Sequence, residues 1–224
     1  MRRTAVNYRG FRPGRINEPE FKHLKLLLGW VVYFGLFILT ERLIPAEKCF
    51  VVHSRLDDYI PFCEWFVIPY VAWYGLIVFS LLWFLRYNVE NFRGLQIYLV
   101  VTQVVAMAIY ILLPTRQELR PEVFPRENVL TAVVAALYRA DTNTNVCPSM
   151  HVAFSLGIAS AWLREKTVHW MWRAAVVAAA VLICLSTVFI KQHSAVDVLA
   201  ALPVCALAEW VAFGKRKAKP TYES

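Results

Sequence analysis

Three stretches of the sequence concentrate the side chains able to do chemistry. In Ser186-Thr-Val-Phe-Ile-Lys-Gln-His-Ser-Ala-Val-Asp197, His193 and Asp197 lie four residues apart. On a helix that spacing puts them on one face, one turn from each other. A carboxylate there accepts a hydrogen bond from one imidazole nitrogen, fixes the tautomer and leaves the other nitrogen as a nucleophile or base. Lys191 supplies a cation two residues before His193. In Cys147-Pro-Ser-Met-His151, Pro148 suits the first turn of a helix because it has no N–H to leave unpaired. Ser149 and His151 then share that first turn, where free N–H groups and the helix dipole favour an anion. In Pro114-Thr-Arg-Gln-Glu-Leu-Arg-Pro121, Arg116 and Arg120 are also four apart, and paired guanidinium groups suit phosphate oxygens. Each stretch has a plainer reading: a packing histidine, a helix start, loop arginines paired with Glu118 or Glu122. Taken together they describe an anion site.

The elements that must position these groups are membrane helices. Of 224 residues, 58% are hydrophobic and 18% charged, and the mean hydropathy is +0.47. Soluble domains carry about 45–50% apolar and about 25% charged residues. The composition excludes a disordered chain, a nucleic-acid-binding tail and a disulfide scaffold. A crossing needs roughly 20 apolar residues. Six runs qualify: Leu24–Ile44, Trp65–Leu85, Gly94–Thr115, Thr142–Leu163, Ala174–Ile190 and Ser194–Phe213, the last weakened by Asp197 and Glu209. Leu24–Ile44 is too long and too late for a cleaved signal and is read as a retained helix. The expected fold is therefore all-α, a bundle of six transmembrane helices forming one integral-membrane domain over residues 1–224.

Charge sets the expected orientation. Most of the 24 lysines and arginines fall before Leu24, in the loops Arg86–Arg93 and Arg164–Arg173, and in the Lys215–Lys219 tail. The positive-inside rule then makes both termini cytoplasmic, with basic tails at 1–23 and 214–224. By helix parity, all three chemistry-bearing stretches fall at the outer membrane boundary. The 30-odd residues of Thr115–Asn145 read as irregular, and a loop that long in a compact bundle is more often functional than filler. Asp57-Asp58 reads as a solvated loop pair. Cys49, Cys63 and Cys147 lie near the outer face, where one disulfide is conceivable, whereas Cys184 and Cys205 read as small buried hydrophobes.

These residues resemble the signatures of the type 2 phosphatidic acid phosphatase superfamily, membrane enzymes with three motifs on one face. Pro148, Ser149 and His151 match its Pro-Ser-Gly-His motif, with Met150 in place of glycine. Ser186, His193 and Asp197 match its Ser-Arg, five residues, His, three residues, Asp motif, with Thr187 where the arginine belongs. Arg120-Pro121 matches the end of its Lys, six residues, Arg-Pro motif, with Leu113 at the lysine position. The likeness covers about residues 94–210. Arg116 and Lys191 are the nearest substitutes for the two missing cations. The Cys-Pro-Ser-Met-His and Lys-Gln-His stretches look more like the branch containing inositol phosphorylceramide synthases, which transfer a phosphoryl-linked head group to another alcohol.

The resemblance implies a membrane lipid phosphate phosphatase acting through a phosphohistidine intermediate. His193 is then the nucleophile, Asp197 its partner, and His151 the general acid and base. Arg120, Arg116, Lys191, Ser149 and Ser186 are the implied phosphate-binding residues, with no metal and no cofactor. The expected partners are a phospholipid or polyprenyl phosphate and the cell membrane's bilayer, not nucleic acid. A lipid head-group phosphotransferase is the alternative within the same chemistry. A transporter using His151, His193 and Asp197 as a relay, or a non-catalytic lipid-binding protein, is the alternative outside it.

Overall fold

The computed structural model describes residues 6–214. The expected Lys215–Lys219 cationic tail lies outside the described residues. Eight α-helices are present among them: α1 Leu28–Leu43, α2 Arg55–Tyr59, α3 Val67–Tyr87, α4 Val89–Leu112, α5 Val129–Ala140, α6 Met150–Arg164, α7 Trp170–Phe189 and α8 Ala195–Phe213. Two short parallel strands, β1 Phe50–Val51 and β2 Thr115–Arg116, pair Phe50 with Thr115 and Val51 with Arg116.

Five helical segments are long and apolar enough to cross a membrane: Lys22–Leu43, Glu64–Tyr87, Val89–Leu112, Trp170–Phe189 and Ala195–Phe213. Their apolar faces remain exposed, as at Val31, Leu82, Val104 and Leu199. This is a multi-pass membrane protein.

The fourth expected run behaves differently. Its first eight residues do not join the helix, and Ser149 is the N-cap of α6. Helix α6, 15 residues ending at Arg164, rises about 22 Å at 1.5 Å each. That is shorter than the roughly 30 Å hydrocarbon core. Helix α6 is the buried centre of the bundle, packed against α4, α7 and α8. Its small residues allow the close approach: a Cβ on Gly157 would lie 2.4 Å from the Tyr98 ring of α4. On its other side Trp162 stacks on Phe79 and donates Nε1–H to the buried Ser80 hydroxyl, 3.0 Å away.

Short caps terminate the helices and set the connections. Asn88 ends α3 and caps α4 with no loop between them, accepting from the Asn91 N–H at 3.1 Å. Its own amide and that of Asn91 donate to Glu165, which tethers the end of α6. Glu209, inside the last run, accepts from Ser160 at 2.7 Å and pairs with Arg164.

The segment expected to be irregular contains α5, capped by the reciprocal hydrogen bonds of Asn128 and Thr131. Arg126 and Asn128 fasten its start to the buried Glu64 at 3.0 and 3.2 Å. Arg116 also bridges to Thr144, so β1, β2 and the loop before α6 close one end of the bundle together. All five cysteines are free thiols, and the conceivable outer disulfide is not formed.

Candidate functional site

The connection between α7 and α8 carries the first part of the site. Ser194 caps α8 and Asp197 completes a capping box, taking the Ser194 N–H at 2.9 Å. The same oxygen, Oδ2, lies 3.2 Å from His193 Nδ1. One carboxylate therefore starts the helix and orients the imidazole. Asp197 is fully buried and His193 is 8% exposed. With Nδ1 on the carboxylate, Nε2 of His193 is the nitrogen left for a ligand.

A second carboxylate supports this turn from α2. Asp57 accepts from the Ser194 hydroxyl at 2.6 Å and from the Ala195 N–H at 2.7 Å. It also closes its own capping box with Ser54. Burial pushes the Asp57 pKa up, but the hydrogen bonds from Ser194, Ala195 and Ser54 outweigh it and hold the carboxyl below its ordinary range. The solvated pair expected from sequence is thus split. Asp57 is 3% exposed and structural, whereas Asp58 sits at the surface with His53.

Helix α6 carries the second histidine. Its N-terminus is docked to α8, since the Ser149 N–H donates to the Asp197 carbonyl at 3.1 Å. The Tyr110 hydroxyl of α4 donates to the Pro148 carbonyl at 2.7 Å. In the first turn, His151 packs against the rings of Tyr70 and Trp73 of α3, with centroids 4.4 and 4.1 Å away. Its centroid lies 5.6 Å from that of His193, with the rings edge to face. His151 Nε2 and Asp197 Oδ1 are buried without a hydrogen-bond partner. Unsatisfied groups of this kind are rare in a packed interior and mark a place for a ligand or water.

The implied phosphate-binding residues are placed differently. Arg120 spends its guanidinium on the carbonyls of Tyr138, Asp141 and Thr142 and on Gln192 Oε1, at 2.6 to 3.0 Å. Its plane lies 4.6 Å over the Tyr138 ring. Lys191, at a left-handed φ of 56°, donates to the carbonyls of Asp57 and Ile60. Burial pushes its ammonium pKa down. Ser186 donates to the Ile183 carbonyl inside α7 at 2.6 Å, and Arg116 pairs with Glu118 at 2.8 Å. These four residues hold loops and helix ends together. The structure brings His151, His193, Asp197 and Ser149 into one site, and does not turn the other four toward it.

Both histidines line a cavity of about 600 Å³ that runs between α1 and α3. Its polar end holds His151, His193, Gln192, Asp141 and Asn145, and Trp30, Phe34, Phe37, Ile77 and Leu81 extend it as an apolar wall. Sequence reading passed over Asp141 and Gln192. Their signal was their position: Asp141 is the C-cap of α5, whose existence went unrecognised, and Gln192 adjoins His193.

No family model, curated protein or solved structure matches the chain. The site must be interpreted from its own geometry.

Proposed function

We propose that this protein is a membrane enzyme that moves a phosphoryl group from a lipid phosphate to water or to an alcohol through a phosphohistidine on His193. The observation that carries this reading is the oriented pair His193–Asp197 facing His151 across the end of a cavity whose remaining walls are apolar. The signature likeness to the type 2 phosphatidic acid phosphatases supports the same chemistry. In this reading, α6 is the sixth and shortest crossing, both termini are cytoplasmic, and the histidines lie at the outer boundary.

His193 Nε2 attacks phosphorus, and the bond from phosphorus to the lipid oxygen breaks. Asp197 accepts from Nδ1–H throughout and stabilises the charge that develops on the ring. His151 delivers a proton to the departing alkoxide and then removes one from the incoming water or alcohol. That oxygen displaces His193 and restores the starting state. The first-turn N–H groups of α6, capped by Ser149, lie beside the histidines as donors for the equatorial oxygens. The apolar wall between α1 and α3 holds the lipid chain, so the phosphate reaches the histidines without leaving the bilayer's edge.

The internal bonding of Arg120, Lys191 and Ser186 favours a second reading, a lipid-binding protein that does no chemistry. One experiment separates the two. Purified protein and its His193→Ala variant are incubated with a panel of phospholipids and polyprenyl phosphates, with and without an alcohol acceptor. The enzyme reading expects loss of substrate with release of phosphate or formation of a new lipid, abolished in the variant. Lipid bound by both proteins and consumed by neither would establish the second reading.

A further inference from the structure

The cavity that begins at the histidines has a floor. Its wall on α1 runs from Phe37 to Trp30, with Leu27 just ahead of that helix, and its wall on α3 runs from Trp73 to Leu81. One turn beyond Leu27 and Leu81, the N-terminal segment ties the two walls together. The Tyr8 hydroxyl lies 2.7 Å from His23 Nε2 and donates to the Leu85 carbonyl at 3.1 Å. Phe21 and His23 are buried against the Tyr8 ring.

Trp30 shapes that floor. Its Nε1–H donates at 3.1 Å to Oε1 of Gln96, a fully buried residue of α4. Its ring meets Phe154 of α6 edge to face at 5.4 Å and stacks on Phe34 at 5.8 Å. Swinging the indole aside would leave the whole Gln96 amide buried and unpaired, because Gln96 Nε2 already lacks a partner.

Two helices give the depth of the slot independently. On α1, Thr40 marks the polar end by accepting from Asn145 Nδ2 at 3.3 Å, and Trp30 lies ten residues below it. On α3, Trp73 marks the polar end by packing on His151, and Leu81 lies eight residues below it. At 1.5 Å per residue these spans are about 15 and about 12 Å. An extended carbon chain, with bonds of about 1.5 Å, advances about 1.3 Å per bond, so the slot takes roughly 9 to 12 carbons.

The slot also opens sideways, since Phe34 of α1 and Tyr74 and Val78 of α3 line it and are about half exposed. A lipid chain enters there from the bilayer. Passing from one hydrocarbon medium to another gains nothing from leaving water, so fit is what separates one chain from another. A chain too long for the floor must bend or back out, and backing out draws its phosphate away from His193.

We infer that Trp30 is a specificity-determining residue that sets the chain length of the lipid, favouring roughly 9 to 12 carbons over longer chains. Gln96 is its positioning residue and acts only through the indole. The inference rests on the lipid-phosphate reading of the histidines and deepens it at the far end of the same cavity.

The test has two arms, both on the full-length protein in mixed micelles. In the first, diacylglycerol release is followed from phosphatidic acid and from phosphatidylglycerol, each with paired octanoyl, dodecanoyl or hexadecanoyl chains at equal surface fraction. Wild type should prefer dodecanoyl to hexadecanoyl lipid about tenfold in kcat/KM. Trp30→Ala should abolish or reverse that preference, and Gln96→Leu should weaken it. In the second arm, His193→Ala is irradiated with didodecanoyl phosphatidic acid carrying a diazirine at the tip of one chain, and its peptides are mapped. The adduct should fall on Leu27, Trp30 or Leu81. Hexadecanoyl lipid turned over as fast as dodecanoyl by wild type, or an unaltered profile in Trp30→Ala, would overturn the inference and leave the phosphoryl-transfer reading standing. Adducts confined to outward-facing residues such as Val31 and Leu82 would overturn it equally. Absence of His193-dependent turnover of every lipid would overturn the phosphoryl-transfer reading, and the adduct position alone then decides whether the slot holds the chain. The wild-type profile and the adduct decide the matter even where a Trp30 variant fails to fold.

Discussion

Asp197 is the residue on which most of the site depends. Its side chain closes the first turn of α8 and holds His193, and its backbone carbonyl anchors the N-terminus of α6. Asp197→Asn keeps the size and one acceptor but presents an amide to Nδ1, which disfavours the tautomer with Nε2 free. In the proposed mechanism it should lower kcat on the order of 10⁴-fold, the scale seen for such a change in hydrolytic triads. Steady-state rates on the preferred lipid check this, with circular dichroism confirming that the helices persist. Asp57 acts one step further out. Asp57→Ala leaves the Ser194 hydroxyl and Ala195 N–H unpaired and should cost about 1–3 kcal/mol of stability. Because its folded-state pKa is held below the ordinary value, its contribution is complete above about pH 4 and is lost as pH falls through the lowered pKa. The gap in Tm between wild type and Asp57→Asn should therefore close on acidification below pH of about 4, and a gap that widens there would contradict the sign.

At the scale of elements, α6 shows how local chemistry overrides hydropathy. The run Thr142–Leu163 carries no charge and is interrupted by Pro148 and His151, and the helix waits for Ser149. Its contact with α4 depends on a hydrogen atom at Gly157, so Gly157→Ala forces Tyr98 to move. A loss of about 1–3 kcal/mol is expected, measured as a lowered Tm in detergent. Long crossings such as α3, α4, α7 and α8 were readable because twenty apolar residues have few alternatives in a membrane. The pairing of His193 with Asp197 was readable from their spacing, but its geometry differs from a shared helix face: His193 precedes the Ser194 N-cap and meets Asp197 across the capping turn that opens α8. Helix α5 was not readable, although Asn128 and Thr131 stand at capping positions ahead of its apolar residues. Two prolines and several charges just upstream drew attention to an irregular loop. The bonding of Arg120 to three carbonyls was beyond reach for a different reason. Those carbonyls belong to residues 18 to 22 positions away and meet it only through the docking of α5.

For the whole molecule, the proposed orientation follows from where charge and caps accumulate. The end carrying the histidines is closed by β1, β2, α2 and α5, and the opposite end by the Asn88–Glu165 and Tyr8–His23 contacts. The proposed six crossings would put Glu122 outside and Lys166 inside, both at exposed positions. In cells, Glu122→Cys should react with a membrane-impermeant maleimide, and Lys166→Cys should react only after permeabilisation, the native cysteines being replaced in both. The reverse pattern would invert the orientation, and labelling of both from outside would break the six-crossing count.

The central claim is that His193 becomes covalently bound to phosphorus. The direct measurement is rapid acid-free quenching of the protein with its turned-over lipid, followed by peptide mass mapping. An acid-labile, base-stable adduct on His193, absent from His193→Ala, is the expected result. Turnover that proceeds with no adduct on His193 at any quench time, or an adduct on another residue, would contradict it.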